Sequence, residues 1–219
     1  MSARRGRGKD SSGETGDVVE GFRGRRGGGV AASFAASQAG IIRALVSQVA
    51  DLVGSDPAAG GPADTADPAD ASVSSAAGAA GNSLEDLAEL LANSGSATPP
   101  EDPVLARLLP DAYLDDSAAA GDFRRFTERE LRSGKVAAAR TVLDTLPEGG
   151  GRVELSEEDA QVWLRALNDV RLALGVRLSI TEDFGERMDD LDPADPRSAY
   201  MWVYDWLTFL QETLVRALW

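Results

Sequence analysis

The side chains that most often do chemistry at neutral pH are nearly absent from this sequence. None of its 219 residues is a histidine or a cysteine, and only Lys9 and Lys135 carry an amine side chain. The sequence therefore offers no histidine general base, no imidazole or thiolate metal ligand and no disulfide. Carboxylates are left for acid and base chemistry, and a carboxylate-dependent enzyme is our least favoured interpretation. We predict no catalytic, metal-binding or cofactor-binding residues.

Two short stretches resemble ligand sites but lack the spacing that those sites need. Four aspartates between residues 189 and 195 suggest a calcium loop, yet no glycine stands at the turn position and no glutamate closes the loop. The glycine-rich run from Gly24 to Gly29 lacks both the Gly-Lys-Ser/Thr ending and the Gly-x-Gly-x-x-Gly pattern of phosphate-binding loops. We interpret the aspartates as loop and capping residues, and the glycine run as a hairpin turn.

Basic residues are concentrated at the start of the chain. Residues 1–30 hold seven Arg or Lys against four Asp or Glu, a net of +3, and the remaining residues hold fifteen against thirty-two, a net of −17. Arg23, Arg25 and Arg26 are candidates for a small basic patch at the tip of the hairpin that contacts nucleic acid or an acidic partner, with simple solvated charge as the alternative. Because the acidic body repels phosphates, DNA contact is expected only indirectly or through this basic arm.

The first part of the chain alternates between low-complexity and ordered stretches. Residues 1–17 are polar and predict a disordered basic tail, and residues 18–34 predict a β-hairpin. Apolar residues at helical spacing predict a helix over residues 36–53 and a short one over residues 83–91. Between them, residues 54–82 are almost entirely Ala, Gly, Pro, Asp and Ser, which predicts a disordered acidic insertion.

The second part of the chain predicts a bundle of helices around a central one. The helices are expected over residues 117–132, 136–146, 156–175 and 197–219, with one or two helical turns within residues 98–116. The central helix begins at Ser156, which Asp159 complements as in a capping box, and we expect Gly175 to end it before a short extended segment. The fold class is therefore mainly α: one helical domain over residues 18–219 with a short N-terminal hairpin.

Two sets of side chains are the candidates for contacts with partners. Trp202 and Trp206 lie on the last helix, and we favour core packing for them over an exposed partner or homodimer surface. Asn168, Asp169 and Arg171 lie on the central helix. We interpret these three as a structural polar network, with ligand or partner binding as the alternative.

Four segments resemble an actinobacterial family that was long described only as a domain of unknown function and is now described as oxidative-stress transcriptional regulators. The segments are DPVLARLLPDAYLDD (residues 102–116), FRRFTERELRSGK (123–135), WLRALNDVRLALGVRL (163–178) and VYDWLTFLQETLVRAL (203–218). The resemblance covers the chain from about Val18 to its end, without residues 54–82. Asn168, Asp169 and Arg171 match the family's helix motif.

This resemblance implies a non-enzymatic transcriptional regulator of the stress response. It would act in the cytoplasm through protein partners, RNA polymerase or a sigma factor, without a cofactor and away from membranes. Genes of the family often neighbour a Clp protease adaptor, which implies an adaptor or scaffold linked to Clp proteolysis as the alternative. A sequence without cysteine cannot sense oxidants by forming a disulfide, so we expect this member to respond to another signal.

Overall fold

The computed structural model describes residues 21–55, 97–181, 184 and 195–219. These form, in chain order, β1 (Arg23–Gly24), β2 (Val30–Phe34), α1 (Ala36–Gly54), α2 (Pro103–Leu108), α3 (Ser117–Thr145), β3 (Gly151–Leu155), α4 (Glu157–Arg177) and α5 (Pro196–Leu218). The prediction of a mainly α fold with an N-terminal hairpin is confirmed. The predicted tail, nearly all of the predicted insertion, the helix over residues 83–91 and most of the four aspartates lie outside the described residues.

The hairpin is confirmed, and a third strand joins it. The strands are antiparallel in the order β1-β2-β3, with Arg23 opposite Ala31 and Ser33 opposite Arg152. The turn of the hairpin closes with a hydrogen bond of 3.0 Å from the Arg25 amide to the carbonyl of Gly29, whose φ is +74°. β3 was not predicted, because it has only two inward-facing apolar residues and pairs with a strand more than one hundred residues earlier.

One face of this sheet covers the centre of the core. Phe22 and Phe34 contact the ring of Trp163 on α4, with ring centroids 5.7 and 6.1 Å away. Trp163 has no exposed surface, and its indole nitrogen donates a hydrogen bond of 2.8 Å to Oγ1 of Thr145. α4 also packs against α1, α2, α3 and α5, which confirms it as the central helix.

α4 begins where it was predicted to begin but ends later. Ser156 Oγ accepts a hydrogen bond of 3.0 Å from the Asp159 amide, as expected for the N-cap. The helix continues through Gly175 to Arg177, and the left-handed residue is Ser179, with a φ of +53°. The predictions for Gly175 and for an extended segment after it are wrong. Packing of Val176 against the core at the end of α1 keeps this turn helical.

α3 is one continuous helix, so the predicted break between residues 132 and 136 is wrong. A glycine inside a helix costs only about 1 kcal/mol relative to alanine, and Gly134 lies in open space. The second half of α3 also pairs with α1, and each helix donates an arginine to carbonyls at the end of the other. Arg132 donates to the Val53 carbonyl at 2.7 Å, and Arg43 donates to those of Leu143 and Leu146 at 2.7 and 2.8 Å.

Candidate functional site

A strongly basic site lies on the face of the sheet that points away from the core. Side chains alternate between the two faces of a strand, so Arg23, Arg152 and Glu154 lie opposite the buried residues of the same strands. A shallow hollow of about 340 Å³ lies here. It is lined by four arginines, Arg23, Arg25, Arg26 and Arg152, and by the small residues Gly21, Gly24, Ala31, Ala32 and Ser33.

The structure therefore brings together the three arginines that sequence reasoning selected and adds a fourth. Arg23, Arg25 and Arg26 are close in sequence, and their grouping was visible there. Arg152 reaches the site only through the pairing of β3 with β2, in which it stands opposite Ser33. No local signal in the sequence marks Arg152. Once β3 is known, the alternation of side chains along the strand places Arg152 on the outer face, because the adjacent Val153 points inward.

Glu154 orients two of these arginines. Its carboxylate accepts a hydrogen bond of 2.7 Å from Nε of Arg152 and forms an ion pair of 2.7 Å with Arg25. The hydrogen bond from Arg152 and the positive charge of Arg25 lower the pKa of Glu154 below its usual value. Four guanidiniums against one carboxylate leave this group of five side chains with a net charge of +3.

The hairpin is held on α5 by contacts that admit little movement. The Phe22 amide donates a hydrogen bond of 3.1 Å to Oγ1 of Thr213. Gly21 packs so closely on Thr213 that a Cβ at this position would overlap its side chain, and a Cβ on Gly24 would lie 3.3 Å from the Ala217 carbonyl. Glycine is needed here for close approach, and the contacts make the hairpin a firm support for its arginines.

A second concave site lies between α3 and α4. This groove, of about 620 Å³, is lined by Lys135, Asn168 and Asp169 together with Thr127, Glu130, Leu131, Gly134, Ala138 and Arg165. Asp169 is only 7% exposed and accepts a hydrogen bond of 2.7 Å from the ammonium group of Lys135. Burial raises the pKa of Asp169 above its usual value, although the bond from Lys135 acts in the opposite direction.

The predicted polar trio on α4 is divided between different environments. Asn168 and Asp169 both line the groove, and Asn168 also accepts a long hydrogen bond of 3.4 Å from Gln211 on α5. Arg171 is half-buried and is not among the groove residues that the structure describes. The ion pair to Lys135 ties α3 to α4, which supports a structural role for Asp169, and a binding role for the trio stays a prediction.

Sequence reasoning missed a buried ionic cluster on α3. Arg124 donates hydrogen bonds to Glu128 at 2.8 Å, to Asp111 and to the Leu109 carbonyl, and Glu128 also accepts a bond of 2.8 Å from Arg132. The spacing of four residues between Arg124, Glu128 and Arg132 was the available signal. These contacts attach the first half of α3 to the segment after α2.

The aromatic side chains of α5 are less buried than expected. Trp202 is 58% exposed, so core packing is wrong for this residue, whereas the half-buried Trp206 does pack against the core. The buried stripe of α5 runs through Leu207, Leu210 and Leu214, and Trp202 lies about a quarter turn outside it. Trp202, Trp206 and Phe209, at a spacing of four and three residues, follow one flank of the helix.

Neither a metal-ion site nor a membrane-spanning helix is found among the described residues. Within the described ranges, no group of three or more acidic side chains is arranged to hold a metal ion. Of the helices in this part of the chain, none combines the length and apolar composition needed to span a bilayer.

Comparison with known proteins finds matches over most of the fold. A family model described as a domain of unknown function (DUF2017) matches residues 19–218. AosR of Mycobacterium leprae is 47% identical over 139 residues, 57% of this chain and 62% of that protein. The oxidative stress regulator AosR of Mycobacterium tuberculosis is 43% identical over 150 residues, 63% of this chain and 66% of that protein. The chain thus spans slightly less than two thirds of these relatives, and no solved structure matches it.

Proposed function

The chain belongs to the DUF2017 family, and we propose that it is a non-enzymatic regulator of the oxidative stress response that acts in the cytoplasm through protein partners. The observation that carries this proposal is the 43% identity over 150 residues with the oxidative stress regulator AosR of Mycobacterium tuberculosis. At that identity a common mode of action is the simplest expectation. RNA polymerase or a sigma factor is the proposed partner.

Exposed aromatic residues support a role in protein contacts. Trp202 on α5, Tyr113 after α2 and Phe126 on α3 are each more than half exposed. Aromatic residues are enriched at protein interfaces because they bury a large area with few rotatable bonds. A side chain kept on the surface in this way contributes little to folding and is available to a partner.

The signal is proposed to reach this protein through its partner. These 219 residues contain no cysteine, so no thiol of this chain can be oxidised to a disulfide or sulfenic acid. We therefore expect peroxide to change the abundance or state of the partner, and the affinity of this chain for it to be unchanged by oxidant.

The test is affinity capture from a DNase-treated lysate of the source bacterium, with the intact chain as bait and with or without peroxide. Recovery of RNA polymerase or a sigma factor, followed by direct binding of the purified partner, is the expected result. Bait variants with Trp202→Ala and with Phe126→Ala are tested beside the intact chain, and loss of capture in one of them assigns the contact to α5 or to α3. Capture of neither transcription protein would argue against the proposal.

An adaptor or scaffold linked to Clp proteolysis is the second candidate. The aromatic flank of α5 favours it equally, because an exposed tryptophan can anchor a chaperone as well as a sigma factor. The same capture experiment separates the two, since Clp components would replace RNA polymerase on the bait. Direct binding of purified Clp subunits to the intact chain, lost with Trp202→Ala, would establish this second function.

A further inference from the structure

We infer that the outward face of the three-stranded sheet binds the phosphate backbone of nucleic acid. This inference rests on the proposed function and extends it, since a regulator attached to the transcription machinery would be held near DNA by this face. The residues assigned to the contact are Arg25, Arg26 and Arg152, with Arg23 at the edge of the same hollow.

Like charges from separate parts of the chain converge on this hollow. Arg23 lies in β1, Arg25 and Arg26 lie in the turn, and Arg152 comes from β3, more than one hundred residues later. Three guanidiniums, those of Arg25, Arg26 and Arg152, share this hollow with the single carboxylate of Glu154, which is electrostatically unfavourable. None of them faces the core, so the arrangement is not required by packing. A polyanion that neutralises the group would compensate this repulsion.

The hairpin, and not the tail, carries the net positive charge of the basic arm. Residues 1–20 contain four basic and four acidic residues, so their net charge is zero. The net of +3 over residues 1–30 therefore belongs to Arg23, Arg25 and Arg26, which are placed on the structured hairpin. Arg152 adds to it from β3, and Glu154 holds Arg25 and Arg152 side by side at 2.7 Å each.

The lining of the hollow suits nucleic acid better than an acidic protein. Protein interfaces gain most of their energy from a few large side chains that enter pockets of the partner. The described residues that line this hollow include no large apolar or aromatic side chain, only arginines and small residues. Without an aromatic ring the face cannot stack bases, so backbone contact without sequence preference is what it fits. The planar guanidinium fork matches two phosphate oxygens at once.

The acidic body limits the strength of this contact without preventing it. The net charge of −14 repels DNA, but charges more than about 10 Å away are largely screened at 0.1 M salt. Binding is therefore expected in the micromolar range typical of non-specific complexes. With about three phosphates contacted, affinity falls by about 40-fold between 50 and 200 mM salt.

The test is fluorescence anisotropy of a labelled duplex of about 20 base pairs and arbitrary sequence, titrated with the full chain at both salt concentrations. The triple variant Arg25→Ala/Arg26→Ala/Arg152→Ala is compared with Arg125→Ala/Arg129→Ala/Arg140→Ala, which removes three exposed arginines of α3 and changes the net charge equally. We expect the first variant to lose about tenfold or more in affinity at 50 mM salt and the control to stay within about twofold of the parent.

Three results of the DNA titration would overturn the inference. They are no binding of the parent chain at 50 mM salt, equal losses in both triple variants, and unchanged binding in the first. Binding of a poly-glutamate peptide without binding of DNA would also overturn it, and would assign the face to an acidic protein. Circular dichroism checks that each variant is folded, and the single change Arg26→Glu tests the same face without breaking the ion pairs of Glu154. Partner capture is done after DNase treatment, so it does not depend on DNA binding. Failure of the partner proposal and failure of the DNA-binding proposal can therefore be distinguished.

Discussion

Lys135 of α3 and Asp169 of α4 form a partly buried ion pair in which the ammonium group donates a hydrogen bond of 2.7 Å to Oδ1. The pair closes one side of the groove between the two helices, and Asp169 is only 7% exposed. Burial raises the pKa of Asp169 in spite of its partner, so the folded protein holds a proton on this carboxyl more tightly than the unfolded chain does. Ionisation of Asp169 therefore lowers the free energy of unfolding as pH rises.

The first prediction follows from the sign of that shift. Replacing Lys135→Met removes the counter-charge and raises the pKa of Asp169 further, so the variant should lose about 3 kcal/mol of unfolding free energy at pH 7. The loss should shrink as pH falls towards 4, because the carboxyl is then protonated. Urea unfolding at several pH values measures both effects.

A double variant supplies the control for this first prediction. Lys135→Met/Asp169→Asn has no ionisable group at the pair, so it should show none of the added pH dependence. If Lys135→Met is equally destabilising at pH 4 and pH 7, the buried charge is not the cause and lost packing of the lysine stem is the better account.

Arg132 is the second residue whose removal should be costly. It donates to the Val53 carbonyl at 2.7 Å and forms an ion pair with Glu128, which is itself buried. Arg132→Met leaves the end of α1 without this donor and weakens the pairing of a buried carboxylate, so we expect a loss of about 3 kcal/mol. Arg129→Met, an exposed position on the same helix, should stay within about 0.5 kcal/mol of the parent in chemical denaturation. Equal losses of unfolding free energy in the two variants would contradict this role for Arg132.

The parts of the fold that sequence reasoning found are those with local signals. Ser156 and Asp195 stand at the starts of α4 and α5 with their capping hydrogen bonds in place. The glycine run marks the hairpin turn, and the 19 residues of α1 follow a clear apolar period. Such signals act within a few residues and survive in any tertiary context, so a single sequence displays them.

The errors occur where distant contacts decide the structure. β3 exists because it pairs with β2, α3 is continuous because Arg132 and Lys135 attach it to α1 and α4 on either side of Gly134, and α4 passes Gly175 because Val176 is packed. The same reason explains the site. Sequence neighbours Arg25 and Arg26 could be predicted together, whereas Arg152 joins them only through strand register.

Two glycine substitutions make a third prediction with opposite signs. Gly134→Ala adds a methyl group in open space on a helix, so it should stabilise by about 0.5–1 kcal/mol. Gly150 has a φ of +74°, and a Cβ there would lie 2.6 Å from the Phe34 carbonyl oxygen. Gly150→Ala should therefore destabilise by about 2 kcal/mol or more and loosen β3. Thermal unfolding of both variants measures the two effects. If Gly150→Ala leaves the stability unchanged, the close contact between Gly150 and the Phe34 carbonyl is contradicted.

Trp163 and Trp202 give the last prediction, because the same substitution should separate a core residue from a contact residue. Trp163 is fully buried against Phe22 and Phe34, so Trp163→Ala should cost about 3–5 kcal/mol and can abolish folding. Trp202 is 58% exposed, so Trp202→Ala should change the unfolding free energy by about 1 kcal/mol or less while it weakens capture of the partner. Circular dichroism and denaturation measure the first quantity, and binding of the purified partner measures the second. If Trp202→Ala instead unfolds the domain, the flank of α5 belongs to the core and the contact surface must be sought elsewhere.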